Sequence, residues 1–144
     1  MPIPSYAKVN LYLKIGKKLS SGYHNIQSVM QKVELSDSMA IEHLSEDRIV
    51  VESTNPELAS EENLAYTAAS LLKKKFKVRQ GARIFIEKNV PLEAGLGGGS
   101  SNAATALMNL NKLWGLKLKE KQLIELAAQI GADVPFFIGE NAAL

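Results

Sequence analysis

Residues 90–107, VPLEAGLGGGSSNAATAL, set four glycines and two serines directly ahead of a small, apolar segment. Glycine loses more backbone freedom on folding than any other residue, so a cluster of it marks a place where positive φ or close approach to the backbone is needed. Ahead of a helix, such a loop aims unpaired N–H groups and the partial positive charge of the helix end at one point. That is a cradle for an anion, phosphate above all. Ser100 and Ser101 add hydroxyls at the first turn, and Ala103, Ala104 and Ala106 keep the helix slim where it packs. A Walker A loop does not fit, because no lysine follows the glycines, and a G-x-G-x-x-G fingerprint beginning at Gly95 fails at Ser100. A flexible connector is the other reading of such a loop, although Gly/Ser linkers do not normally run into NAATAL.

The cradle needs a strand before it and a helix after it. ARIFIEK reads as that strand, ended by Val90-Pro91, and the helix is expected to run to about Trp114 and Gly115. Upstream, residues 7–15 alternate apolar and polar, which predicts a half-buried strand with Lys8 and Asn10 on its polar face. KKLSSGYHN is a turn-rich loop; weaker strand signals follow at residues 26–35 and 39–44, then in RIVVES after the short polar turn SEDR. Turns this short favour antiparallel neighbours. SEENLAYTAASLLKKKFK predicts a helix with Ser60 as N-cap, and Lys73, Lys74 and Lys75 near its end read as a solvated face complementing the helix dipole. A third helix is expected from Lys119, stopped at Gly131. Trp114 reads as packing, and His43 has no partner that the sequence reveals. Strands first and helices later imply an α+β domain: an antiparallel or mixed sheet covered by helices on one face.

The whole chain bounds these readings. Its 144 residues suit one domain, and 46% hydrophobic with 22% charged residues is globular. Seventeen Lys and Arg against fifteen Asp and Glu leave +2, which is no basic face for nucleic acid. No cysteine is present, which excludes disulfides and thiolate metal sites. The start, MPIPSYAKVN, has no signal-peptide pattern and no apolar run approaches a spanning helix, so a cytoplasmic protein with no membrane association is expected.

The glycine stretch resembles the second motif of the GHMP kinases, P-x-x-x-G-L-G-S/G-S-S/A-A, whose loop wraps the phosphates of ATP. AKVNLYLKIGKKLSSGYHNIQSVM, ENL at residues 62–64 and GADVPFF at residues 131–137 are similar to the branch of that family that phosphorylates a cytidine diphosphate sugar alcohol in non-mevalonate isoprenoid synthesis. The resemblance covers nearly the whole chain. It implies the family's N-terminal, ATP-binding domain over residues 1–144, with ATP and Mg2+ as reactants and a small-molecule acceptor as partner.

Carried onto this sequence, the resemblance implies a phosphoryl-transfer centre of Lys8 and Asp133. On the substrate side it implies Asn10, Tyr23, His24 and Met30, together with Asp133. Asn63, Leu64 and, more loosely, Lys88 fall on the adenine side; Pro91, Gly95, Leu96, Gly97, Gly98, Gly99, Ser100 and Ser101 fall on the phosphate loop. No metal ligand is implied. Without the resemblance, Lys8 reads as an exposed strand lysine, Asp133 as a helix cap or turn former, and His24 as a loop residue. Met30 departs from the family, many of whose members carry an aromatic residue there.

Members of this family are about twice this length, so the chain resembles their N-terminal half without the C-terminal domain. The expectations that follow are no turnover by the fragment alone and an exposed apolar face, covered by self-association or accompanied by a disordered end from about Phe136. Another GHMP kinase, acting on homoserine or a mevalonate-type alcohol, is the nearest competing reading, opposed by the GYH stretch. A non-catalytic RNA-binding or assembly module of the same fold is a further one, opposed by the near-neutral charge.

Overall fold

The computed structural model of the chain describes residues 2–18 and 24–139, with side chains described for residues 2–11 and 29–139. The strand before the glycine loop, Gly81–Glu87, buries every second residue from Ala82 onward, so Ala82, Ile84 and Ile86 face a core while Arg83, Phe85 and Glu87 face outward. That alternation gives the sheet one apolar face. Numbered along the chain, the strands are β1 (Ile3–Lys18), β2 (His24–Leu44), β3 (Ile49–Ser53) and β4 (Gly81–Glu87). They lie in the order β1-β2-β4-β3, with β1/β2 and β2/β4 antiparallel and β3/β4 parallel.

Helices α1 (Leu64–Phe76), α2 (Gly98–Leu113) and α3 (Glu120–Ile130) supply the rest of the core. Leu72 of α1, Leu107 and Leu110 of α2 and Leu126 of α3 are buried together with Ile84 and Ile86. Burying each such side chain is worth about 1.5–3 kcal/mol. The expected α+β fold is therefore present, with a mixed sheet.

The structure departs from the sequence reading in five places. Strands β2 and β3 do not pair despite the short SEDR turn; β4 inserts between them, and α1 provides the crossover that a parallel β3/β4 pair requires. Residues 26–35 and 39–44 form one strand, because the polar Ser36-Asp37-Ser38 that reads as a break is bonded into the sheet and the loop beside it. The N-cap of α1 is Asn63, not Ser60: its side chain accepts a hydrogen bond from the Ala65 N–H at 2.8 Å. Lys8 does not share an exposed face with Asn10. A register irregularity between Tyr6 and Lys8 lets consecutive residues Ala7 and Lys8 both turn inward, leaving Lys8 4% exposed. Finally, Phe136, Phe137 and Ile138 are buried on or beside a 3-10 turn, Val134–Phe137, with the two rings edge-to-face at 5.1 Å. Apolar burial therefore holds residues 136–138, against the expectation of a disordered end from Phe136, of which residues 140–144 lie outside the described residues.

Trp114 packs as expected, its indole N–H donating to the Gly81 carbonyl at 3.3 Å. Lys73 is no free surface charge: its ammonium donates to the carbonyls of Val78 and Gln80, pairs with Asp47 and lies over the Trp114 ring. It thereby completes the end of α1.

Asn63 also donates from its side-chain amide to the Leu58 carbonyl at 2.9 Å, tying the turn before α1 to the helix start. Asn63→Ala should cost about 1 kcal/mol of stability in urea unfolding, and Asn63→Asp, which keeps the capping acceptor, should recover most of that loss.

Candidate functional site

Helix α2 begins without a side-chain cap. Its N-cap is Gly97, in the left-handed region at φ +69, and no side chain bonds to its first turn. The Ser101 N–H is bonded to the Gly97 carbonyl at 2.8 Å, while the N–H groups of Gly98, Gly99 and Ser100 have no acceptor among the described residues. Three donors and the positive end of a 16-residue helix thus converge on one spot. A cavity of about 230 Å3 opens there, lined by Leu64, Lys88 and residues 91–100.

Gly97 is fixed by more than its φ. A Cβ at this position would come within 3.0 Å of both Lys8 Cγ and Phe137 Cζ. Lys8 joins the loop through its backbone as well, its N–H donating to the Leu96 carbonyl at 2.8 Å. The lysine stem therefore lies against the glycine backbone, and its ammonium reaches Asp133, with Nζ 3.9 Å from Oδ2. Asp133 occupies the N-cap position of the 3-10 turn yet makes no capping hydrogen bond, and its side chain is 43% exposed. The capping role that its sequence context suggests is unused. Its carboxylate instead faces the buried lysine and solvent.

The remaining sequence-derived residues divide. Leu64, Lys88, Pro91, Gly95, Leu96, Gly97, Gly98, Gly99 and Ser100 meet around the loop cavity. Ser101 does not join them: it is 2% exposed, its hydroxyl is bonded to that of Ser5 at 2.9 Å, and it borders a separate groove of about 580 Å3. Tyr6, Val33, Met108, Phe137 and Ile138 give that groove its apolar lining. Asn63 is committed to the start of α1 through both ends of its amide. Asn10 and Met30 are cross-strand partners in the β1/β2 register, one exposed and one half-buried. Tyr23 lies outside the described residues, as does the side chain of His24, whose backbone opens β2 opposite Lys18.

Sequence reasoning missed a layer beneath the loop. Asp37, Asn102 and Ser5 are buried there with the ammonium of Lys88. An acid flanked by two serines between apolar strand segments was the available signal for Asp37, and it reads equally well as a turn. Among the described residues no buried side-chain nitrogen or oxygen lacks a partner, and no group of three or more His, Asp or Glu is placed to hold a metal ion.

Residues 63–140, the segment that carries the loop and Asp133, match the family described as the GHMP kinases N terminal domain. The chain belongs to the GHMP kinases. Curated relatives named 4-diphosphocytidyl-2-C-methyl-D-erythritol kinase include proteins from Caldicellulosiruptor bescii, 48% identical over all of this chain and 51% of the relative, and from Clostridioides difficile, 46% identical over 99% of this chain and 48% of the relative. The chain thus spans about half the length of the curated relatives it matches. A crystal structure of 4-(cytidine 5'-diphospho)-2C-methyl-D-erythritol kinase superposes with a TM-score of 0.81 at 36% identity, over 99% of this chain and 54% of that one. Mevalonate pyrophosphate decarboxylase from Streptococcus pyogenes shares the fold, with a TM-score of 0.72 at 18% identity over 99% of this chain and 46% of that one.

Gly97→Ala tests the close packing of the loop. The left-handed φ and the two 3.0 Å approaches both oppose a methyl group, so unfolding stability should fall by about 1–3 kcal/mol and any phosphate ligand of the loop should lose its binding in calorimetry. Gly95→Ala, whose added Cβ would meet nothing within 4 Å, should show the smaller cost of φ alone.

Proposed function

We propose that this chain is the nucleotide-binding half of a small-molecule kinase that transfers the γ-phosphoryl group of ATP to the 2-hydroxyl of 4-diphosphocytidyl-2-C-methyl-D-erythritol. The observation that carries the proposal is the contact between cradle and ion pair: Lys8 packs on Gly97 and its ammonium faces Asp133. Phosphoryl transfer needs both features side by side, because the protein's task is to align two reactants and stabilise spreading charge.

The free N–H groups at the start of α2 hold the phosphates, and glycine allows them close to the backbone. Asp133 accepts a hydrogen bond from the acceptor hydroxyl and takes its proton as the oxygen bonds to the γ-phosphorus. The bond from that phosphorus to the bridging oxygen breaks, and ADP leaves. The Lys8 ammonium, held within reach of Asp133, stabilises charge on the entering oxygen and the transferring group. Mg2+ carried on the nucleotide would neutralise part of the phosphate charge. Ser100, at the loop cavity, is the hydroxyl that would stand nearest it, and no acidic cluster among the described residues is placed to hold a metal by itself. Asn10 and Met30, side by side on β1 and β2, are assigned by the family resemblance to the acceptor, Met30 beside its cytosine. The names of the close relatives favour this acceptor over homoserine or mevalonate.

Calorimetric titration with Mg-ATP and, separately, with diphosphocytidyl-methylerythritol, beside a coupled ADP-release assay, tests the proposal. Each ligand should bind. Lys8→Met should weaken Mg-ATP about tenfold, the loss of one charge-assisted contact, and Asp133→Ala should weaken the acceptor more than the nucleotide. No ADP release is expected from the 144-residue chain by itself. Binding of neither ligand overturns the proposal.

A further inference from the structure

Beneath the phosphate loop lies a buried ion pair that the transfer chemistry does not use. Asp37, in the middle of β2, is 0% exposed, and its partner Lys88 is 7% exposed at the side chain. Asp37 Oδ1 accepts from the backbone N–H of Asn89 at 2.7 Å and of Val90 at 2.8 Å. Its Oδ2 accepts from Lys88 Nζ at 2.5 Å and from the Asn102 amide at 3.1 Å. Asn102 Oδ1 receives a second bond from Lys88 Nζ at 3.3 Å, and Asn102 Nδ2 also donates to the Ser5 hydroxyl at 2.9 Å. One carboxylate thus grips the chain just before the glycine loop, at residues 88–90, and just after it, at residue 102.

The placement is close. Lys88 Nζ lies 3.2 Å from where a Cβ on Gly98 would stand, directly under the first residue of α2. Burying two charges costs several kcal/mol each, and well-packed apolar residues often stabilise a site as well or better. A buried pair of this kind contributes direction more than net stability. Its bonds are oriented, and here they fix both ends of a segment that glycine leaves otherwise free.

We infer that Asp37 and Lys88 are positioning residues that clamp both ends of the phosphate loop, and that the Lys88 ammonium acts through the loop and not on the nucleotide. This deepens the proposed function and rests on reading the loop as a phosphate cradle. It also reassigns Lys88, which the family resemblance puts on the adenine side. The ammonium borders the cavity, but two of its three donors are engaged by Asp37 and Asn102.

The test compares Lys88→Met, Asp37→Asn and the double variant in the same 144-residue chain. Amide hydrogen exchange is read by NMR at Lys8 and Ser101, whose N–H groups bond to the loop carbonyls of Leu96 and Gly97, and at Leu72 and Ile84 in the core. Each single variant leaves one buried charge uncompensated and should speed exchange at Lys8 and Ser101 about tenfold to a hundredfold more than at the core amides, with weaker Mg-ATP binding. In the neutral double variant the side-chain amide oxygen introduced at position 37 still accepts from residues 89 and 90, so both readouts should return to within about threefold of the parent chain.

Equal acceleration at loop and core in a single variant would make the pair a general structural element and sink the inference, as would unchanged exchange throughout. A double variant that regains slow exchange but not Mg-ATP affinity would show the ammonium to be a direct nucleotide ligand. Should the single variants not fold, the double variant decides alone by that same comparison, and its own failure to fold counts as the general structural outcome. Absence of Mg-ATP binding by the parent chain would fail the proposed function, while the exchange comparison would still decide whether the pair positions the loop.

Discussion

The Asp37 carboxylate has no access to water, so its lone pairs must be met from within the protein. The four donors that meet them come from the segment just after β4, residues 88–90, and from the first helical turns of α2. Satisfying one buried acid therefore fixes how β2, the chain leaving β4 and the start of α2 sit together. The layer above it, where the glycines run, inherits its position from these bonds. The layer below, through Ser5 and Ser101, joins β1 to the same point.

Above this foundation the cradle and the ion pair are one unit. Lys8 is inward-facing because of the register irregularity after Tyr6, and Gly97 has room for its stem only because it lacks a side chain. The GADVPFF segment closes the arrangement from the other side: Phe137 touches the same glycine, while Asp133, four residues earlier, presents its carboxylate to the lysine. Four stretches distant in sequence, around residues 8, 37, 97 and 133, thus share one small volume. The buried aromatic pair at the end of the described chain is what holds the last of them in place.

Local signals carried much of the fold. The period of two in ARIFIEK, the apolar faces of α1 and α3, and the stop at Gly131 all depend on neighbours in sequence, and those elements lie where their patterns imply. Failures occurred where a distant partner overrode a local preference. Ser36-Asp37-Ser38 looks like a turn until the donors from residues 88–90 and 102 are present, and Lys8 looks solvated until a bulge and a glycine make room for it. Ser60 and Asn63 are both competent caps; the Leu58 carbonyl, brought back by the preceding 3-10 turn, gives Asn63 the second bond.

The sequence by itself determined that a glycine loop with uncapped N–H donors opens a helix, because glycine composition and helix-end electrostatics are local properties of a short segment. The resemblance of its motifs added the family and the residues to watch. Only the tertiary structure decided which of those residues share the cradle: Lys8 and Asp133 beside it, Lys88 bonded beneath it, Ser101 turned away to Ser5. That choice depends on burial and on hydrogen-bond partners far apart along the chain. Neither is encoded at a single position, and both arise only when the sheet and helices have packed.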